Sequence, residues 1–246
     1  MQRGIANAAI CRATAVEEQE WSAAVLREPV AQPVLRVWVY SRPAVVLGCS
    51  GRPLAWQEER AAALGMELCV RQSGGGAVLA GPWLLGTSVV LPPQHRLVVA
   101  GIAQSFRWLG VAHAAWLQML GVAARAVPAP LAPRDDALRW ACFAGLSHWE
   151  VAAGASKIVG LAQVRRRNGI LFSSGILIAP PPWEVLCDVL GLPLAQAPAL
   201  AGRTSSCAEI LGRPASAEAL ASSLLRDLSS TVEAAEADLM EMDQVE

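Results

Sequence analysis

A chain of 246 residues with 54% hydrophobic and 17% charged residues is long enough to bury a sizeable core, as one large domain or two small ones. Its formal net charge of -1 argues against a generic nucleic-acid binder, which carries a basic excess. Two long uncharged stretches, 72–95 and 168–183, are broken by Gly74–Gly76, Gly81, Pro82, Pro92 and Pro93, and by Pro180–Pro182. Neither offers the roughly 20 unbroken apolar residues of a membrane span, so no membrane partner is expected. The apolar run from Ile5 to Cys11 is too short for a secretory signal and is followed at once by Arg12 and Glu17. The six cysteines (11, 49, 69, 142, 187, 207) stand singly, without a CxxC pair or a histidine at ligand spacing. They read as reduced thiols in a cytoplasmic protein without a metal site.

Thr14-Ala-Val-Glu17 is a capping-box pattern that opens a helix ending before Pro29. Strands are expected at Val34–Tyr40 and Ala44–Leu47, a helix over about 54–64, and strands at 67–72 and Leu84–Leu91. Apolar residues recur at helical spacing from Val99 to Leu120 (Ile102, Phe106, Leu109, Ala112, Trp116), so one helix is predicted there. Pro128, Pro130 and Pro133 mark 121–137 as a loop. An antiparallel meander follows, with strands at 140–143, 148–153, 157–164 and 170–178 and turns at Gly154-Ala155 and Asn168-Gly169. Helices at about Trp183–Leu190 and 217–240 close the chain. Strands and helices intermix without regular βαβ alternation, which predicts an α+β fold with mixed or antiparallel sheets flanked by helices.

Of the 20 basic residues, 19 are Arg and one, Lys157, is Lys. Where Arg otherwise supplies every positive charge, a lone Lys marks a position suited to a compact ammonium. Arg71-Gln-Ser-Gly-Gly-Gly-Ala77 joins two expected strands. Three glycines without Cβ atoms let backbone N–H groups approach a ligand, and Arg71 could grip a phosphate or carboxylate. The alternative is a flexible hairpin loop. No Gly-Lys-Ser/Thr follows, so it is not a Walker loop, and it does not open a helix as a dinucleotide fingerprint does. Cys142 lies 15 residues before Lys157, with a turn between their strands. If the meander is antiparallel the two share an end of the sheet, and a thiol beside an ammonium is a nucleophile. The other five cysteines read as packing.

These segments resemble the lipoate–protein ligase and octanoyltransferase family. Arg71-Gln-Ser-Gly-Gly-Gly-Ala-Val-Leu79 is similar to its lipoate-binding loop, and Gly154-Ala-Ser-Lys-Ile-Val-Gly-Leu-Ala-Gln-Val-Arg165 to its lysine motif. Gly169–Ile178 is similar to the strand that closes the motif region. Cys142-Phe143, followed by Trp149-Glu150 and the Lys, looks like the octanoyltransferase branch, which uses that Cys as an acyl carrier. The resemblance covers roughly residues 35–180. It implies the catalytic core shared with biotin ligases and class II aminoacyl-tRNA synthetases, as a single domain over 1–246 without an accessory C-terminal domain. It also implies attachment of octanoyl or lipoyl groups to a lysine of a lipoyl carrier domain or a glycine-cleavage-type carrier protein. Arg71, Ser73, Gly74, Gly75, Gly76, Ala77, Val78 and Leu79 would line the site. Lys157 would hold the acyl carbonyl and stabilise the developing oxyanion, with Gly160, Ala162 and Gln163 beside the thioester or adenylate.

The family's ligases usually follow the glycine loop with a His-Asp pair, where this chain has Ala80-Gly81-Pro82-Trp83; its octanoyltransferases often place an Arg within the loop, where this chain has ligase-like Gly76. Two routes stay open. In the favoured one, Cys142 takes octanoate from acyl carrier protein as a thioester, with no tightly bound cofactor. In the other, Arg71, the glycine loop and Lys157 hold ATP and Mg, and an acyl-adenylate forms. A non-catalytic carrier-binding module is the third reading. Arg165-Arg166-Arg167 at a hairpin tip is either a solvated turn or a docking patch for an acidic carrier. Trp83 and Trp149 are either core or walls of the acyl tunnel. Of the three isolated histidines (95, 113, 148), His148 lies nearest the proposed site as a base, though a structural role is favoured for each.

Overall fold

The computed structural model describes residues 7–99, 101–129 and 136–242. Its strands are β1 (Ala8–Ala13), β2 (Val34–Tyr40), β3 (Ala44–Leu47), β4 (Glu67–Val70), β5 (Val78–Ala80), β6 (Leu84–Leu91), β7 (Ala124–Ala126), β8 (Val151–Ala153), β9 (Ser156–Arg166) and β10 (Gly169–Leu177). The helices are α1 (Ala15–Val25), α2 (Ala55–Ala63), α3 (Ile102–Ser105), α4 (Arg107–Met119), α5 (Trp183–Leu190), α6 (Gln196–Ala201), α7 (Cys207–Leu211) and α8 (Ala217–Met242). Seven strands form one sheet in the order β1-β2-β6-β10-β9-β8-β7, antiparallel except for the β1–β2 pair. The other three form a small mixed sheet, β4-β3-β5. The α+β expectation holds.

Strand β6 is the spine of the large sheet. Flanked by β2 and β10, all eight of its residues are buried, which is why Leu84–Leu91 reads as an almost continuous apolar run. Its two hydroxyls find partners: Thr87 with Ser174 at 2.5 Å, and Ser88 with the Trp38 indole at 2.9 Å. Helix α8 packs on β1, β2 and β6 through Ala221, Leu224, Leu228 and Val232, an apolar stripe at helical spacing. Trp116 ties α4 to it with a 3.1 Å bond to Ser223. Among the described residues no helix is long and apolar enough to cross a membrane.

Several elements differ from the sequence expectation, each for a local reason. β1 pairs in parallel with β2 across six residues, although its Ala-rich sequence carries little strand propensity. Val78–Ala80 and Ala124–Ala126 are short strands rather than loop, held by pairing to β3 and β8. Pro130 and Pro133 of the expected loop lie outside the described residues. The helix expected over 99–120 breaks at Phe106 into α3 and α4. The buried Ser105 hydroxyl bonds back to the Val99 and Gly101 carbonyls and competes with the helical ladder there. The strand expected at 140–143 is a single bridge at Ala141 followed by a 3-10 turn, Cys142–Ala144. Only Val151–Ala153 of the strand expected over 148–153 forms, because Trp149 sits at φ 65°, a left-handed conformation rare for a bulky residue.

Two features aim the lysine segment. Val151 and Ala152 are consecutive on β8 but pair with Val159 and Lys157 on β9, so Ile158 is an extra residue and the ladder bulges beside Lys157. The Lys157 backbone is clamped on its other side: its N–H donates to the Arg203 carbonyl and its carbonyl accepts from the Ser205 N–H.

Candidate active site

The glycine loop and the Cys142 turn are one unit. The Ala77 N–H donates to the Trp140 carbonyl at 2.6 Å, and the Cys142 N–H donates to the Ala77 carbonyl at 2.9 Å. A Cβ on Gly76 would lie 2.4 Å from the Trp140 carbonyl oxygen, so no side chain fits there. This close approach accounts for the last glycine of the triplet. Gly75, at φ 101°, turns the chain. Arg71 organises the loop from below, donating to Ser73 Oγ and to the carbonyls of Val46, Gly74 and Gly76. The guanidinium expected to grip an anion instead spends its donors on the loop.

Above the large sheet, against this loop, lies a cavity of about 160 Å³. Arg71, Gly74, Gly75, Gly76, Val78, Gly160, Ala162 and Cys142 line it, as the sequence led one to expect. Ser73, Ala77, Leu79 and Gln163 do not line it. On β5 the side chains alternate, Val78 and Ala80 facing the cavity and Leu79 the core, where it is 1% exposed. Ala77 is buried against the Trp140 segment, and Ser73 is buried beneath Arg71. Gln163 turns away to bond the Ile102 carbonyl and Arg165. Trp83 and Trp149 are likewise outside the wall. The Trp83 indole donates to the Leu79 carbonyl, and Trp149 stacks under Arg107. His148 is exposed and off the wall, and His113 is fully buried in α4, its pKa pushed down to about 3 by burial.

Lys157 is a buried cation behind the cavity rather than in its wall. Its Nζ lies 2.7 Å from Glu150 Oε1, with the two side chains 2% and 3% exposed. The other two protons reach the carbonyls of Cys142 at 2.8 Å and Gly145 at 3.2 Å, and the Phe143 ring sits 5.2 Å away. All three ammonium donors are therefore used. Glu150 also accepts from the Ser147 and Leu161 backbone N–H groups, so the carboxylate is well satisfied in the interior. The cysteine and lysine do come together as expected, but the ammonium reaches Cys142 through its main-chain carbonyl. Cys142 itself is half-buried and opens into the cavity. Burial pushes the thiols of Cys69 and Cys207 up to about 12 and about 11, which leaves them inert at neutral pH.

Glu18 and Tyr40 are among the wall residues that were not singled out from the sequence. Glu18 lies on α1, the helix opened by the Thr14–Glu17 capping box. It is 7% exposed, faces the cavity, and accepts the Tyr40 hydroxyl at 2.7 Å. Burial raises its pKa from 4.5 to about 7 against the opposing effects of the Tyr40 bond and Arg71. The folded chain then holds a proton that the unfolded chain releases near pH 4.5, so stability falls as pH rises from about 4.5 to 7. The Glu18→Gln variant removes this loss. Relative to the parent it gains about 3 kcal/mol between pH 5 and pH 8 in equilibrium denaturation. A difference in stability that does not change with pH would contradict the burial argument.

A model of the lipoyl protein ligase A/B catalytic domain matches residues 12–228. The chain belongs to this family. It is 31% identical over 172 residues to an octanoyltransferase LipM of Moorella thermoacetica, a match covering 68% of this chain and 61% of that protein. The chain thus spans about three fifths of the length of that relative. Among solved structures it resembles a lipoate protein ligase of Thermoplasma acidophilum with bound lipoic acid, at TM-score 0.68 and 20% identity, covering 93% of this chain and 85% of that one. It also resembles the biotin protein ligase of Aquifex aeolicus in complex with biotin and ATP, at TM-score 0.51 and 14% identity, covering 93% and 71%. The fold is therefore the one shared by lipoate and biotin ligases, as the resemblance implied. Within that family fold, the arginine run at the β9–β10 turn divides. Arg165 is tied down on the Val99 carbonyl, Ser105 and Gln163, and only Arg166 and Arg167 are exposed.

Proposed function

We propose that this chain is an octanoyltransferase that moves an octanoyl group from acyl carrier protein to a lysine of a lipoyl carrier domain through a thioester on Cys142. The observation that carries the reading is the position of Cys142, a half-buried thiol open to the cavity on a turn fixed from both sides. Octanoyltransferases among the curated relatives support it. In the first half-reaction the Cys142 thiolate attacks the acyl thioester carbonyl, and the carrier's thiolate leaves and takes up a proton. In the second, the neutral amine of the target lysine attacks the acyl-Cys142 carbonyl. An amide forms, the Cys142 thiolate is released, and the amine's surplus proton passes to water.

In this reading Lys157 is a positioning residue. Its partner Glu150 cancels most of the ammonium's field, so its contribution is the fixed Cys142–Gly145 turn rather than free positive charge. The exposed Arg166 and Arg167 are available to steer an acidic carrier. For the adenylate route the residues fit poorly. Arg71 and Lys157, the cations assigned to ATP, direct their donors at protein oxygens. No step is therefore routed through ATP.

The test uses purified protein and an unmodified lipoyl domain read by intact mass. One reaction contains octanoyl-acyl carrier protein without ATP, the other octanoate or lipoate with ATP and Mg. Acylation in the first alone is expected. Acylation in the second alone would replace the proposal with a ligase, and binding of the lipoyl domain without acylation in either would make the chain a carrier-binding module.

A further inference from the structure

Attack on a thioester carbonyl leaves a negative charge on its oxygen, and catalysis needs a donor aimed at that charge. Three donors nearest to hand are spent. Lys157 gives its ammonium protons to Glu150 and to the Cys142 and Gly145 carbonyls. Arg71 gives its own to Ser73 and to the Val46, Gly74 and Gly76 carbonyls. The Cys142 N–H, the backbone donor at the nucleophile itself, is bound to the Ala77 carbonyl.

Among the described residues the cavity wall holds one further cation, Arg139. It is exposed, and its guanidinium is paired with no carboxylate of the described residues. Its neighbours fix where its stem begins. The Ala141 N–H donates to the Leu138 carbonyl at 3.0 Å, which puts Arg139 at the corner of a tight turn. The Trp140 indole donates to Gln196 Oε1 at 2.8 Å, and the Trp140 carbonyl accepts from the Ala77 N–H at 2.6 Å. The backbone is anchored on both the glycine loop and α6, while the side chain is left uncommitted at the cavity.

Reach favours the same residue. Three residues extended span at most about 11 Å, so the Cα atoms of Arg139 and Cys142 are no farther apart than that. An arginine stem of six bonds reaches about 7 Å and a cysteine sulfur stands about 3 Å from its Cα. A carbonyl oxygen on an acyl group at the sulfur therefore falls within hydrogen-bond range of the guanidinium.

We infer that Arg139 is a catalytic residue whose guanidinium donates hydrogen bonds to the oxyanion formed on Cys142. When the Cys142 thiolate adds to the donor thioester, the carbonyl π pair moves onto oxygen. When the intermediate collapses, that pair re-forms the carbonyl and the carrier's thiolate leaves. The second half-reaction repeats the cycle, with the target amine adding and the Cys142 thiolate leaving. Arg139 keeps its protons throughout. It thus takes the role expected of Lys157, which Glu150 and the turn carbonyls occupy. This rests on the acyl-transfer reading above, whose own failure is seen separately.

The experiment compares the parent with Arg139→Ala in three reactions, each read at Cys142 by peptide mass. Two are single-turnover octanoylations, from octanoyl-acyl carrier protein and from octanoyl-pantetheine, a small uncharged donor. The third is alkylation by iodoacetamide, which needs the thiolate but passes through no oxyanion. The variant is expected to octanoylate about 100-fold more slowly with both donors and to be alkylated at the parent's rate. An equal loss of alkylation would overturn the inference and make Arg139 an activator of the thiol. A loss confined to the carrier-borne donor would overturn it in favour of a docking contact, and unchanged rates throughout would leave Arg139 no role. A parent that takes up octanoate from neither donor would overturn the acyl-transfer reading as well.

Discussion

The Cys142→Ser variant transfers octanoyl groups at least about 1000-fold more slowly than the parent chain, with its folding unchanged. Serine differs from cysteine by one atom, and the side chain opens into the cavity rather than filling a core position. The bonds that fix residue 142, its N–H to the Ala77 carbonyl and Lys157 Nζ to its own carbonyl, use only the backbone of residue 142 and survive the substitution. What is lost is the nucleophile, because a hydroxyl is almost wholly protonated at neutral pH and no base is hydrogen-bonded to it. Measurement of single-turnover transfer beside equilibrium denaturation separates chemistry from stability. A variant that keeps even a tenth of the parent's rate would remove Cys142 from the mechanism.

Lys157→Met costs about 3–5 kcal/mol of stability, the second large effect expected. Methionine matches the length of the lysine stem, so packing around Phe143 and Gly160 is nearly preserved. Glu150, however, stays in the interior without its counter-charge, and the Cys142 and Gly145 carbonyls each lose a donor. Adding Glu150→Gln should recover part of the stability, since it removes the uncompensated charge and the one amide oxygen can still accept from either the Ser147 or the Leu161 N–H. It should not recover the transfer rate, because the turn that presents Cys142 remains untethered. Denaturation and single-turnover rates of the single and double variants make the check. Full activity in the double variant would reduce Lys157 to a counter-ion for Glu150.

How much of this was legible in the chain varies with the range of the interactions. The lone Lys157, the glycine triplet and strand Leu84–Leu91 were visible because they depend on composition and local pattern. The segment around Cys142 was misread as a strand. Its apolar residues fit one, and only the contact with Ala77, 65 positions earlier, makes it a bridge and a turn. Gln163, Leu79, Ala77 and Ser73 belong to recognisable motifs, but strand alternation and loop packing turn them from the cavity. Glu150 stands seven residues before Lys157 and was visible as a neighbour, though nothing local marks it as the buried partner. Glu18 was hidden most completely. Its capping-box helix is amphipathic only weakly in sequence, and its burial depends on Tyr40 arriving from β2.

The most direct measurement is to incubate the protein with octanoyl-acyl carrier protein alone, without ATP or acceptor, and to map the acyl group by peptide mass. The account predicts one octanoyl thioester on Cys142, labile to hydroxylamine and discharged when unmodified lipoyl domain is added. An enzyme that transfers octanoate under these conditions yet carries no acyl group on Cys142 would contradict it.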